Sequence, residues 1–303
     1  MKPVVAVTGG TGLVGSRFVA DYADRYEFVS LDLNDPVNPI DITNIDQVKK
    51  LFVARQPATV VHFAAFTDVT AAWKQSNDTT GLVYKVNVTG TEVVARAAAE
   101  VNAHFIQIST AYIFDGNASE PYTETALPNP IEWYGRTKLL AEEAVQLISN
   151  KWTILRIDQP FRPDAFPKID VAHRILKGLT DGSLYPQFAD HYFGPTFIPD
   201  FAKIIDWVLR TGTSGIFHAT SGEQWTDYAF AQAIATQAGF DPGTVKQGSL
   251  AQYLETSERP YQKNTALDTT KIAQLLDFKM NTITSALNSL QVPETVSASK
   301  AQQ

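Results

Sequence analysis

The stretch VVAVTGGTGLVG, residues 4–15, decides how the rest of the chain is read. Residues 4–9 are a short run of β-branched and small apolar side chains, which predicts a buried strand. Residues 12–24 carry the spacing of a helix. Between them Gly9, Gly12 and Gly15 form a G-x-x-G-x-x-G turn. Gly9 permits the tight bend, Gly12 has no Cβ to hold a diphosphate away, and Gly15 lets the helix pack closely on the strand. Backbone N–H groups at the helix start then face an anion. Asp32 ends the next strand (28–32) about 20 residues on, where a carboxylate would accept hydrogen bonds from an adenosine ribose. Strand, turn, helix and acid in this order predict a dinucleotide site. No Arg or Lys follows Asp32 in LDLNDP (31–36), and a carboxylate repels a 2′-phosphate. NAD(H) is therefore expected over NADP(H).

Working outward, strands and helices alternate. A helix is expected over 44–54, a strand over 59–65, a long helix over 84–102 and a strand over 105–110. A helix follows within PIEWYGRTKLLAEEAV (130–145), then a strand over 153–157. Near-continuous apolar strands between amphipathic helices mean a parallel sheet covered on both faces, a doubly wound α/β fold of Rossmann type. From about residue 158 prolines interrupt the pattern. A strand at 215–220 and helices at 225–239, 270–277 and 282–290 predict a smaller mixed lobe. The expected division is a nucleotide-binding domain over 1–160, with chain returning to it around 195–220. Residues 161–194 and 221–290 form the second lobe, and 291–303 a fraying tail.

With 44% apolar and 19% charged residues the composition is that of a globular protein. A net charge of −7 argues against nucleic acid or anionic membrane as partner. The absence of cysteine excludes thiolate chemistry and Cys-based metal sites, and the five scattered histidines suggest no metal pair. Nothing resembles a signal peptide or a membrane span, so a cytoplasmic location is expected.

Tyr134 precedes Lys138 by four residues, so on a helix the hydroxyl and the ammonium can converge. Spacing alone leaves open a half-buried Tyr beside a solvated Lys. The order of motifs narrows this. TGGTGLVG, Asp41-Ile42 before a helix, HFAA (62–65), VNVTGT (86–91), ISTAYIFDG (108–116) and YGRTK (134–138) resemble an extended short-chain dehydrogenase/reductase of the NAD-dependent epimerase/dehydratase superfamily. STAYIFDG together with PYTETALPNPIEWYGRTKLLAEEAV is most similar to its dTDP-4-dehydrorhamnose reductase branch. FGPTFIPDFAKII (193–205), GIFHATSGEQWTDYAFAQAI (215–234) and RPYQKNTALDTTKI (259–272) extend the likeness into the second lobe.

The resemblance implies a triad of Thr110, Tyr134 and Lys138. Tyr134 exchanges a proton with the substrate oxygen, Lys138 lowers the phenol's pKa, and Thr110 binds the oxygen. It implies that Thr11, Leu13 and Val14 line the diphosphate turn and that Asp41 and Ile42 flank the adenine. Phe63, Ala64 and Ala65 lie at the cofactor's centre or are ordinary strand core. Asn87 supports the cofactor side or caps its helix. The implied activity is NAD(P)-dependent reduction of a keto-sugar nucleotide. Two alternatives stand beside it, an epimerase or dehydratase, and a regulatory subunit like that of methionine adenosyltransferase. A homodimer through the helices at 84–102 and 134–149 is implied by family analogy.

Several residues depart from the family pattern. Ala111 follows the Thr where Asp is common, Glu132 and Trp133 precede the Tyr, and RIDQPFRP (156–163) replaces a stretch like R-x-S-W-V-Y-G. Trp133 and Phe161 are candidates to stack on a substrate ring or to pack. Arg259 is a candidate for a sugar-nucleotide phosphate or a surface ion pair.

Overall fold

A computed structural model describes residues 2–35 and 38–292. Six parallel strands form one sheet: β1 (Val4–Thr8), β2 (Glu27–Leu31), β3 (Thr59–His62), β4 (His104–Thr110), β5 (Trp152–Ile157) and β6 (Gly215–His218). Their order is β6-β5-β4-β3-β1-β2. Every residue of β3 and β4 is buried, as expected for strands covered on both faces.

Alternate residues of β1 feed opposite cores. Val5 and Val7 join Phe18 of α1 (Gly15–Tyr22) on one face. Ala6 meets Val48 and Phe52 of α2 (Ile45–Arg55) on the other. α3 (Thr91–Glu100) and α4 (Trp133–Ile148) complete that second face through Val94, Ala98 and Val145. The sheet order reverses between β1 and β3, and in open α/β sheets the ligand crevice lies at the carboxyl ends of strands beside such a reversal. The glycine turn sits there. Gly9 has φ +64°, and a Cβ on it would lie 2.8 Å from Ala64 N.

The helix expected over 84–102 runs unbroken from Leu82 to Glu100, with a π-helical segment inside it. Lys85–Gly90 forms a π-helical turn before α3, which swings Asn87 inward. The second lobe has its own core, in which Phe161, Phe193 and Phe230 meet α5 (Val171–Asp181) and α7 (Asp227–Ala238). Between these helices the chain returns to the sheet. α6 (Ile198–Thr211) buries Phe201, Ile205 and Val208 against the first core, and β6 pairs with β5. One stretch departs from the expected division: Ile272, Leu276, Phe278 and Met280 also pack on that first core. Of the expected tail, Gln291 donates its N–H to Pro163 O at 2.7 Å, and residues 293–303 lie outside the described residues.

Candidate active site

A cleft of about 570 Å³ opens at the carboxyl ends of the strands. Gly9, Thr11, Gly12, Leu13, Val14 and Gly15 line it, with Asp32, Asp41, Ile42, Phe63, Ala64 and Ala65 beyond the turn. Thr110, Tyr134 and Lys138 line it as well. The turn is built for close approach, since a Cβ on Gly15 would stand 2.5 Å from Gly9 O. Asp32 Oδ2 accepts from Thr11 N (3.1 Å) and Thr11 Oγ1 (2.5 Å), and its Oδ1 accepts from Asn34 N (2.9 Å). The Gly12 N–H is spent on Gly9 O at 3.1 Å. The Leu13 and Val14 N–H groups have no acceptor among the described residues, which leaves a helix start free to hold a diphosphate.

The triad comes from two elements. Thr110 is the last residue of β4 and stands in register with Ile157 of β5. α4 begins where Glu132 caps it, its carboxylate accepting from Tyr134 N (2.9 Å) and Gly135 N (2.7 Å). Gly135 is required by packing: a Cβ there would lie 2.0 Å from Tyr112 O. Lys138, one turn on, donates from Nζ to Ile108 O at 2.7 Å.

Burial dominates the titration of both groups. It holds the Tyr134 phenol well above the ordinary range, with the Thr110 hydroxyl opposing it as a hydrogen-bond partner and Glu132 and Asp158 adding to it. It lowers Lys138 to about 8, against the pull of Glu142. The expected acidification of Tyr134 by Lys138 is thus not what the protein alone does. In the unliganded protein burial sets the Tyr134 phenol, and the Lys138 ammonium donates to the Ile108 carbonyl.

Beneath the triad, Arg156 grips Glu142 with Nε on Oε1 (3.0 Å) and Nη2 on Oε2 (2.7 Å). Ser109 donates to the same carboxylate at 2.5 Å, and both charged side chains are buried. This pair fixes the floor between β4, β5 and α4.

Asp158, one residue past β5, also lines the cleft. Its Oδ2 accepts from Gly194 N (3.1 Å) and Thr265 Oγ1 (2.6 Å), and burial raises it to about 7. Sequence reasoning missed Asp158, Glu142, Arg156 and Gly135. The nearest signal was the unusual stretch RIDQPFRP.

Four expected residues lie outside the cleft. Trp133 is buried among Ala72, Val83 and Tyr112, with its ring stacked on Tyr84 at 6.3 Å. Phe161 is fully buried in the second core. Neither can stack on a ligand. The Arg259 guanidinium lies 4.4 Å from the Tyr261 ring centre instead. Asn87 is buried and acts on backbone. It accepts from Phe66 N (2.7 Å), donates to Phe66 O (3.2 Å) and to Thr137 Oγ1 (3.0 Å), and so ties the Ala64–Thr67 wall to α4.

Compared with known proteins, the chain matches a family model described as the RmlD substrate binding domain over residues 1–294. The chain belongs to the RmlD substrate binding domain family. Within it, a dTDP-4-dehydrorhamnose reductase of Aggregatibacter actinomycetemcomitans is 30% identical, over 88% of this chain and 91% of that protein. A dTDP-4-keto-6-deoxy-D-glucose reductase of Streptomyces niveus is 31% identical, over 79% and 80%. The crystal structure of dTDP-4-dehydrorhamnose reductase from Bacillus anthracis in complex with NADP has the same fold. It superposes with a TM-score of 0.83 at 24% identity, covering all of both chains. The RmlD-type match therefore spans both lobes. Among the described residues no helix is long and apolar enough to cross a membrane.

Proposed function

We propose that this chain is an NAD(P)H-dependent reductase of a nucleotide-linked 4-keto sugar, of the dTDP-4-dehydrorhamnose reductase kind. One observation carries the reading: Thr110, Tyr134 and Lys138 meet in the wall of a single cleft whose other wall is a glycine turn with two unpaired N–H groups. When bound, the nicotinamide supplies the hydride. Tyr134, held protonated by burial, gives its proton to the carbonyl oxygen as that oxygen gains charge. Thr110 donates a hydrogen bond to the same oxygen. Lys138, charged at neutral pH, stabilises the phenolate left behind. Ala111 and Tyr112 follow Thr110, so no carboxyl stands there to serve a dehydration.

NADH is the expected partner. The stretches Leu31–Asn34 and Ile40–Ile42 bring Asp32 and Asp41 to the cleft and no cation, whereas a 2′-phosphate calls for one. Fluorescence titration with NADH and NADPH, followed by turnover on a panel of nucleotide keto-sugars, tests both statements. Tyr134→Phe is expected to keep cofactor binding and lose activity by about 10²–10⁴-fold. Tight binding with no turnover of any keto-sugar would instead support a regulatory role like that of the methionine adenosyltransferase subunit.

A further inference from the structure

Residues 162–170 leave the second lobe, cross to the nucleotide-binding half and come back to α5. Arg162 makes the crossing. It is 7% exposed, and all three nitrogens of its guanidino group are committed. Nη1 donates to Leu13 O (3.2 Å) and Ser16 Oγ (3.0 Å), one on the glycine turn and the other at the start of α1. Nε and Nη2 hold Asp164 (3.1 and 2.6 Å), and the guanidinium covers the Phe166 ring at 4.8 Å. Asp164 in turn binds Arg17 of α1 at 3.3 Å.

The strap has a second pin. Lys168 donates to Thr67 Oγ1 in the loop after β3. Its near end is tied as well, because Asp170 accepts from Arg162 N (3.2 Å) while capping α5 through His173 N (2.9 Å). The segment therefore spans from the loop after β1 to the loop after β3. At and just after the Lys168 pin, Lys168, Ile169 and Asp170 line the same cleft as the glycines. The Arg162 pin is buried and built from charge-assisted bonds, whereas the Lys168 pin is exposed and weaker.

We propose that Arg162 is a positioning residue which locks this strap onto the glycine turn and so slows the release of a bound nicotinamide dinucleotide. The inference rests on the reading of the cleft as a dinucleotide site. A dinucleotide lying along the turn has Lys168 and Ile169 beside it in the same cleft, and the strap that carries them is held to the turn by the Arg162 bonds to Leu13 and Ser16. The same contact holds the Leu13–Val14 peptide, whose Val14 N–H is one of the two left free for the diphosphate. Loss of the pin therefore loosens the cradle as well as the cover.

The test is stopped-flow displacement of bound NADH, and separately NADPH, by excess oxidised cofactor from the full-length protein. Arg162→Gly removes the whole pin, Arg162→Lys keeps charge without the fork, and Thr67→Val removes only the far pin. Arg162→Gly is expected to release cofactor about tenfold faster or more, the scale of losing hydrogen bonds from a charged donor. Arg162→Lys should recover part of the slow release, which a general loss of stability would not allow. Thr67→Val should give a smaller acceleration. Release at the wild-type rate from Arg162→Gly overturns the proposal. If that variant does not fold, unchanged release from both Arg162→Lys and Thr67→Val overturns it. A wild-type protein that binds neither cofactor overturns the underlying site reading too, whereas binding with unaltered release removes the strap alone.

Discussion

Lys138 shows what a buried cation in the wall of the cleft does to the fold around it. Its ordinary value is near 10.4, and burial brings it to about 8. Between those values the unfolded chain binds a proton that the folded one has lost, so this group's contribution to stability rises with pH there. At neutral pH the buried ammonium is a liability of a few kcal/mol. Lys138→Met is expected to raise the urea midpoint at pH 7, with the advantage shrinking as pH climbs from about 8 to 10. An advantage independent of pH would refute the assignment. The Tyr134–Lys138 spacing was legible because both lie on one helix turn. Asp158 was not, because its partners Gly194 and Thr265 are 36 and 107 residues away along the chain. No local pattern could mark it as a carboxyl near neutrality.

At the scale of elements, the start of α4 sets where Tyr134 and Lys138 stand in the cleft wall. Glu132 satisfies two of its N–H groups, and the missing side chain at Gly135 lets the first turn press on the Tyr112 carbonyl. Gly135→Ala puts a methyl into backbone, which cannot yield as a side chain would. The expected cost is about 1–3 kcal/mol in urea unfolding, with lost turnover because Tyr134 is adjacent. An unchanged midpoint would show that the close approach does not exist. The sequence marked this glycine only as part of a motif, since the atom that forbids a side chain belongs to another element. The π-turn at Lys85–Gly90 escaped for a similar reason. Its apolar spacing reads as continuous helix, and the departure becomes intelligible only once Asn87 is seen bonding both polar groups of Phe66.

For the whole molecule, five buried groups bear on stability between about pH 5 and 7.5. His62, His104 and His218 are pushed down to about 3, 4 and 3 by burial, so each stays neutral in the fold where the unfolded chain would be charged. Glu132 and Asp158 are both raised to about 7 and keep protons that the unfolded chain gives up. Near pH 5 the unfolded state therefore holds three of these protons and the folded state two. Stability should fall by about 1.4 kcal/mol per pH unit on acidification there. The two sets balance near pH ~6.5, where stability from these groups peaks. Urea midpoints at pH 5, 6.5 and 7.5 check the sign on each side. The sheet, its covering helices and the glycine turn that lines the cleft were legible because strand, turn and helix follow one another within a few residues. The second lobe was legible only as a change of rhythm, its core being assembled from Phe161, Phe193, Phe230 and Ile283, far apart along the chain. The ion pair under the triad has an evolutionary corollary. Losing either Glu142 or Arg156 strands the other as a lone charge in a dry interior, at about 3–5 kcal/mol. Drift at these two positions is therefore open only to lineages that exchange both together, so a homologue with an apolar residue at one should carry an uncharged residue at the other.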